Sequence, residues 1–442
     1  MDNLSGNSIS VGLIGCGIVG TGVAKLLAQS RELVASRVGI TINLAKVADI
    51  NPDTVAALDL APGVYTNDAM EIINDPSIPI VVELIGGQGI AKDFVLAALN
   101  QGKTVVTANK ALVAAYRDEI SAACEASGGD FLFEASVGGC MPVIKSLRES
   151  LVSNRVDSIF GILNGTCNYI LTQITQEGIP FKEALAQAQE LGFAEADPTL
   201  DIEGMDTVHK LALCVALAFG TRVNYKEIYV DGITRITPLD ITIAAEFGYR
   251  VKLLAITKNH GDCVEARVHP TMIPFDNLLS SVGRNMNAVK IVGDAVGEMV
   301  LYGAGAGMMP TASAVVGDIV DAARNIKLGC HPRIPAFSYQ PQAIRDLPLM
   351  PMDEVSTRYY VRFSALDRPG VLSKIAGVLA RYSISIASVH QKGRHTEGPV
   401  PIVMLTHEAR EADIQKALEE ISGLDVIAEK PMLIRIEDQN QE

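Results

Sequence analysis

The stretch ISVGLIGCGIVGTGVAKLLAQS, residues 9–30, decides the fold class. Its largely apolar segment from Ile9 to Ile14 predicts a buried strand, and the residues from about Val19 to Gln29 predict a helix. Between the two, Gly15, Gly17 and Gly20 spell G-x-G-x-x-G. Gly15 allows the tight turn, Gly17 lets the backbone approach a pyrophosphate, and Gly20 lets helix and strand pack closely. The helix start, at Ile18 and Val19, offers N–H donors to phosphate. Strand, glycine turn and helix together predict a dinucleotide-binding unit with Gly15, Gly17, Ile18, Val19 and Gly20 at the cofactor.

The same alternation continues downstream. A second strand, Ile40 to Ala48, ends at Asp49, where a carboxylate could meet the adenosine ribose hydroxyls and favour NAD. Lys46 lies close by and could instead meet a 2′-phosphate, so the residues leave NAD and NADP both open. IPIVVELIGG (78–87) and KTVVTANKALV (103–113) each repeat an apolar strand followed by small or polar residues. Ligands of such sheets bind beyond the carboxyl ends of the strands, which places Gly86, Gly87, Thr107, Asn109 and Lys110 beside the cofactor.

A second concentration of chemistry lies at residues 192–210, GFAEADPTLDIEGMDTVHK, which gather Glu195, Asp197, Asp201, Glu203, Asp206 and Lys210 where a helix begins. The following run, TVHKLALCVALAFG, is apolar enough for a buried helix, and a spacing of four puts Asp206 and Lys210 on one face of its first turn. A lysine held there can exchange a proton with a hydroxyl. The plainer reading is a solvated ion pair at a helix start.

The 442 residues suggest about three domains. A charged fraction of 20% and a hydrophobic fraction of 48% describe an ordinary globular chain. Net charge of -14, with no basic stripe carrying aromatics, argues against nucleic acid as a partner. Seven scattered cysteines without a C-x-x-C pair point away from a disulfide framework and towards a reducing, cytoplasmic setting, with Cys140 and Cys167 read as small buried thiols. The opening MDNLSGNSIS does not resemble an export signal, and no apolar run reaches membrane-spanning length, so no membrane association is expected.

Five prolines fall within HPRIPAFSYQPQAIRDLPLMP (331–351), which predicts a linker. Beyond it the patterning predicts a strand near Tyr359 to Ala365, a turn at Asp367 to Gly370, a helix to about Tyr382, a strand from Ile384 to His390, then strand, helix and a last strand near Met432 to Ile436. That is the β-α-β-β-α-β order of a ferredoxin-like module. With the catalytic core upstream of the prolines, the tail reads as a removable unit.

These residues resemble the long form of the homoserine dehydrogenase family, with a carboxyl-terminal ACT domain. The signature A-x-x-x-G-F-A-E-A-D-P-x-x-D-I-x-G-x-D-x-x-x-K runs from Ala188 to Lys210, supported by GCGIVG, VVTANKALV, FEASVGGCMPVI (133–144), GILNGTCNYI (161–170) and YGAGAGMMPTASAVVGDI (302–319). The resemblance implies an α/β chain. It has an N-terminal Rossmann-type dinucleotide-binding domain (1–138, joined by a returning segment near 305–330), an α+β substrate and dimerisation domain (139–304), the Pro-rich linker (331–356) and the ACT domain (357–437). It also implies reversible, NAD(P)-dependent hydride transfer between L-homoserine and L-aspartate 4-semialdehyde, in threonine, methionine and isoleucine biosynthesis. Lys210 would be the proton donor and acceptor, with Asp206 and Glu195 holding the amino acid and Asp201 adding a carboxylate for its ammonium. Gly165 and Thr166 resemble further substrate contacts, and Gly192, Gly305 and Gly307 resemble cofactor contacts.

The family also binds a monovalent cation, sodium, through backbone carbonyls, here those of Glu134, Val137, Gly139 and Met141. The D-R-P-G-V-L opening of the tail resembles an ACT effector site at Asp367 and Gly370, with threonine the implied effector and a homodimer or homotetramer the implied assembly. Two positions depart from many relatives: Ala48 stands where an arginine often precedes the Asp, and Phe193 where tyrosine also occurs. Two other readings are a dehydrogenase of another amino-acid semialdehyde, and an amino-acid sensor that has lost catalysis. Retention of Lys210 and Asp206 speaks against the sensor.

Overall fold

The computed structural model describes residues 8–56, 58–391 and 399–438. Most of the amino-terminal stretch read above for an export signal lies outside the described residues. In chain order the dinucleotide half contains strands β1 (Ser8–Ile14), β2 (Thr41–Ala48), β3 (Tyr65–Thr66), β4 (Ile80–Glu83), β5 (Thr104–Thr107) and β6 (Asp130–Leu132). Helices α1 (Ile18–Gln29), α2 (Arg31–Val38), α3 (Ala69–Ile73), α4 (Ile90–Asn100) and α5 (Lys110–Ser127) are interleaved with them. Next come α6 (Val143–Lys145), β7 (Val156–Ile162), α7 (Gly165–Glu177), α8 (Phe181–Glu190), α9 (Thr199–Ile202) and α10 (Met205–Phe219). They are followed by β8 (Tyr229–Val230), α11 (Pro238–Glu246), β9 (Tyr249–Asn259), β10 (Val264–Pro274), β11 (Met286–Gly293), β12 (Gly297–Ala304) and α12 (Met308–Lys327). The tail is β13 (Ser356–Leu366), α13 (Val371–Arg381), β14 (Ile386–Gln391), β15 (Pro399–Thr406), β16 (Ala409–Arg410), α14 (Glu411–Ser422) and β17 (Ile427–Ile436).

The chain forms two compact units, the first made of residues 1–165, 206–228 and 285–347. Its six-stranded parallel sheet has the order β3-β2-β1-β4-β5-β6. The order reverses between β1 and β4, so the crevice beyond their carboxyl ends is a topological switch point. Val11, Leu13, Val47, Ile80, Val82 and Val106 fill one core with Val23 of α1 and with Ala312, Val315 and Ile319 of α12. β4 (IVVE) and β5 (TVVT) are buried at every position, which is why their centres read as apolar runs without alternation. Gly22 permits the close approach of α12, because a Cβ there would lie 2.8 Å from the Met308 side chain. The same unit holds an antiparallel trio in which β11 pairs with both β7 and β12, together with most of α10.

The second unit, residues 166–205, 229–284 and 348–442, contains a mixed sheet ordered β9-β10-β17-β13-β15-β14. Within it β17-β13-β15-β14, covered by α13 and α14, is the ferredoxin-like ACT arrangement, built on Tyr359, Val361, Phe363, Ile375, Ile402, Met404 and Ile414. Here the structure departs from a tail hung on a linker. β17 pairs in parallel with β10, Thr271 opposite Arg435 and Met272 opposite Ile436, so the ACT sheet continues the β9–β10 hairpin. Buried ion pairs rivet the junction. Arg267 of β10 donates across it to Glu437, just after β17, and Arg362 of β13 donates to the fully buried Asp240 of α11 at 2.6 Å, while Glu265 beside Arg267 (2.7 Å) and Glu411 beside Arg435 (2.8 Å) pair within their own sides. Pairing across more than 160 residues leaves no local pattern in a sequence, which is why proline spacing alone suggested separation.

Candidate active site

The glycine-rich turn has the geometry that its three glycines require. Gly15 is left-handed, at φ 94°, and a Cβ there would sit 2.7 Å from the Leu84 and Ile85 backbone; at Gly20 it would lie 2.1 Å from the Gly15 carbonyl. Gly17, by contrast, faces open space, so the backbone there is free to lie against a phosphate. It is also the N-cap of α1 and brings no side-chain cap, which leaves the first N–H groups of the helix for an anion. The residues thus fit a dinucleotide.

Asp49 sits against this turn, its carboxylate accepting from Cys16 N at 2.6 Å and Asn51 N at 2.9 Å. Lys46 does not wait for a 2′-phosphate: its amine is paired with Glu71 at 2.5 Å. At the ends of β4 and β5 the organiser is Glu83, which the motifs did not single out. One of its oxygens accepts from Ile85 N (2.9 Å) and Gly86 N (3.1 Å), the other from the Thr107 hydroxyl (2.7 Å). A buried carboxylate at the end of an apolar strand was the signal available for it.

In the first unit Asp206 and Lys210 meet as the spacing predicts. Lys210 Nζ donates to Asp206 Oδ2 at 2.6 Å and to the Leu163 carbonyl at 2.7 Å, and both residues are buried. Lys110, expected beside the cofactor, places its amine 3.0 Å from the other carboxylate oxygen of Asp206. Asn164, absent from the expectations, donates to Asp206 at 2.9 Å. Burial pushes the Asp206 carboxyl up, but the charges of Lys210 and Lys110 and the bonds from Lys210 and Asn164 together outweigh it and hold the group below the usual carboxylate range. The result is an ionised carboxylate gripping two amines.

The second unit holds Thr166, whose hydroxyl donates to the Phe193 carbonyl at 2.6 Å and lies 3.4 Å from Asp201. Of the other acidic residues in that stretch, Asp197 accepts from the backbone N–H (3.1 Å) and the hydroxyl (2.6 Å) of Thr199, while Glu195 is exposed. Gly192 is exposed at φ 73°. In the first unit Gly305 has no room for a side chain, since a Cβ would lie 2.1 Å from the Asn287 amide, and Gly307 is the N-cap of α12. Gly165 is similarly confined, since a Cβ there would lie 2.8 Å from the Asn285 carbonyl oxygen.

Around residues 134–141 the Glu134 side chain is spent on the start of α6, accepting from Ile144 N at 2.9 Å and Lys145 N at 2.7 Å. Burial pushes its carboxyl up to about 7. Among the described residues no group of three or more His, Cys, Asp or Glu could hold a metal ion. Val137 and Met141 are buried, and Gly138 and Gly139, both left-handed, fold that stretch back on itself. Cys140 is exposed, which corrects its reading as a buried thiol; Cys167 is buried, its Sγ 3.1 Å from the Asp201 carbonyl. Asp367 and Gly370 are exposed at the β13–α13 turn, with Gly370 the left-handed N-cap of α13.

A dinucleotide turn beside a parallel sheet, with a buried amine–carboxylate pair in the same unit, defines an NAD(P)-dependent oxidoreductase. Family models match on three segments: "Homoserine dehydrogenase, NAD binding domain" over 15–134, "Homoserine dehydrogenase" over 142–320 and "ACT domain" over 359–426. Homoserine dehydrogenase of Neisseria gonorrhoeae is 43% identical across 97% of this chain and 98% of its own, and that of Pseudomonas aeruginosa 41% identical across 98% and 99%. A crystal structure of a homoserine dehydrogenase from Thiobacillus denitrificans superposes with a TM-score of 0.92 at 45% identity, covering 98% of this chain and 99% of that one. The chain belongs to the homoserine dehydrogenase family, and its activity is NAD(P)-dependent interconversion of L-homoserine and L-aspartate 4-semialdehyde. No helix among the described residues is long and apolar enough to cross a membrane.

Proposed function

We propose that Lys210 exchanges the proton of the homoserine hydroxyl and that Asp206 orients it. The observation that carries this reading is the buried Asp206 carboxylate gripping Lys210 on one oxygen and Lys110 on the other. Oxidising an alcohol requires its O–H proton to leave as hydride departs from the adjacent carbon, so one positioned amine suffices. NAD(P), when bound, supplies the hydride acceptor. Lys110, half exposed, adds positive charge where oxygen becomes carbonyl. Glu195, Asp201 and Asp206 are assigned to the substrate ammonium on charge grounds, and Gly165 and Thr166 to its remaining polar groups.

For the cofactor, the assigned residues are Gly15, Gly17, Ile18, Val19, Gly20, Asp49, Gly86, Thr107, Gly192, Gly305 and Gly307. With Lys46 engaged by Glu71 and Asp49 at the turn, the local charges favour NAD, although a homologous archaeal homoserine dehydrogenase (25% identical, TM-score 0.61) was solved in complex with NADPH. The carbonyls of Glu134, Val137, Gly139 and Met141 suit a hard monovalent ion such as sodium, because neutral oxygen donors match its single charge. We assign threonine binding to Asp367 and Gly370, where the α13 start offers N–H groups to a carboxylate. The working form is a cytoplasmic homodimer or homotetramer, with domains at 1–138 plus 305–330, 139–304 and 357–437 and a connecting segment at 331–356.

The test is Lys210→Ala. Homoserine oxidation should fall by roughly 10²- to 10⁴-fold while NAD(P)H affinity stays near that of the parent. A variant keeping more than about a third of the rate removes the lysine from the chemistry.

A further inference from the structure

The second unit buries a lysine that the reaction does not use. Lys252, on β9, is 3% exposed, and its amine donates to the Asn168 side-chain oxygen at 2.9 Å and to the Val282 carbonyl. Asn168 in turn donates its amide to the same Val282 carbonyl at 3.2 Å. Both acceptors of the amine are neutral oxygens, and no carboxylate pairs with it among the described residues. Such a buried amine is an expensive way to hold two carbonyls, since an apolar side chain of similar size would bury at less cost.

What it joins explains the expense. Asn168 lies one helical turn after Gly165 on α7, so Lys252 grips the first turn of the helix whose amino end carries Gly165 and Thr166. Its other acceptor begins the loop 282–285. Arg284 N of that loop donates to Thr172 of α7 at 3.0 Å, and the Asn285 carbonyl presses on Gly165, where a Cβ would lie 2.8 Å away. Burial, with a smaller contribution from Arg250, pushes the amine down to about 7. In its neutral form it has two N–H donors for two carbonyl acceptors.

We infer that Lys252 is a positioning residue for homoserine, clamping the start of α7 to the 282–285 loop so that Gly165 and Thr166 are held in place for the substrate. The inference rests on the reading that Gly165 and Thr166 contact homoserine. Breaking the clamp costs substrate binding rather than the chemical step or the cofactor.

The test compares Lys252→Met, Asn168→Ala, their double variant and Thr166→Ala by steady-state kinetics in both substrates. Lys252→Met should raise the homoserine KM severalfold and Asn168→Ala about tenfold, and the double variant no more than Asn168→Ala alone, because losing Asn168 already removes both its bond from the lysine and its own bond to Val282. The KM for NAD(P) and kcat at saturation should stay within about twofold of the parent. A purely structural lysine would change thermal stability or active fraction without moving the homoserine KM. That outcome, or additive KM effects in the double variant, overturns the inference. If Lys252→Met does not fold, Asn168→Ala decides by the same criterion. An unchanged homoserine KM in Thr166→Ala removes the underlying reading of the α7 start. A raised KM there with an unchanged KM in the clamp variants removes the positioning role alone.

Discussion

Asp206→Asn tests the centre of the site most directly, because it removes one charge and almost no volume. In the parent the carboxylate lies 2.6 Å from Lys210 and 3.0 Å from Lys110. At an effective dielectric near 20, opposite charges about 4 Å apart attract by about 4 kcal/mol, and solvent around the half-exposed Lys110 reduces its share. Losing that attraction frees the Lys210 amine from the oxygen that fixes its direction. The rate of homoserine oxidation should drop about 10²-fold, because Lys210 loses the partner that aims it. The variant also leaves a buried ammonium without its counter-ion, a loss of about 3–5 kcal/mol at neutral pH. Linkage sets where that loss is seen. Asp206 has a depressed folded-state value, so its contribution is fully present above about pH 4 and fades as pH drops through the folded value. Homoserine oxidation followed at the nicotinamide absorbance band between pH 5 and 10, together with thermal unfolding at pH 7 and pH 3, measures all three. A variant whose rate stays within about threefold of the parent across that pH range would refute the assigned role of the carboxylate.

Glu195→Gln should raise the homoserine KM with little change in NAD(P) saturation, since a charge-assisted bond becomes a neutral one; equal losses for both ligands would point to a folding defect. Arg362→Met leaves the fully buried Asp240 without its cation and should cost about 3–5 kcal/mol in chemical unfolding, whereas Arg362→Met with Asp240→Asn should recover much of the loss. Truncation near Pro351 uncovers the β10 edge and should give aggregated protein; a soluble truncated chain at full activity would show that the junction with β17 is dispensable. Asp318, raised to about 8 chiefly by burial and then by the charge of Glu134, binds a proton in the folded state that the unfolded chain has released by about pH 5, so stability should fall as pH rises towards 8. Asp318→Asn should flatten that decline in melting curves taken from pH 6 to 9, and parallel curves for parent and variant would count against it.

The dinucleotide half was legible because its determinants are local. A glycine turn, a strand and a helix lie within 22 consecutive residues, and steric need at Gly15 and Gly20 turns that pattern into a structure. Asp206 and Lys210 were legible for the same reason, four residues apart on one helix. Lys110 and Asn164 were not assigned to the carboxylate because they reach Asp206 from segments 96 and 42 residues upstream, and nothing in their own neighbourhoods points there. Sequence distance hides the partners of a site more than their chemistry does.

The tail makes the same point with a mechanical consequence. Its ferredoxin-like order could be read from alternation and turn residues, yet its attachment could not, because β17 meets β10 far away in sequence and the buried partners Arg267–Glu437 and Arg362–Asp240 are each more than 100 residues apart. A ligand on the ACT domain acts on the rest of the chain only through contacts that differ between two states. Here β13 holds α11 through Asp240 and β17 extends the hairpin of β9 and β10. A shift of either tail strand must therefore carry α11 or β10 with it or break a buried ion pair, and the cost of breaking one makes carrying the cheaper course. β9, the other strand of that hairpin, bears Lys252 and its grip on α7. Movement of the ACT sheet can thus reach the substrate-side helix through packed strands alone.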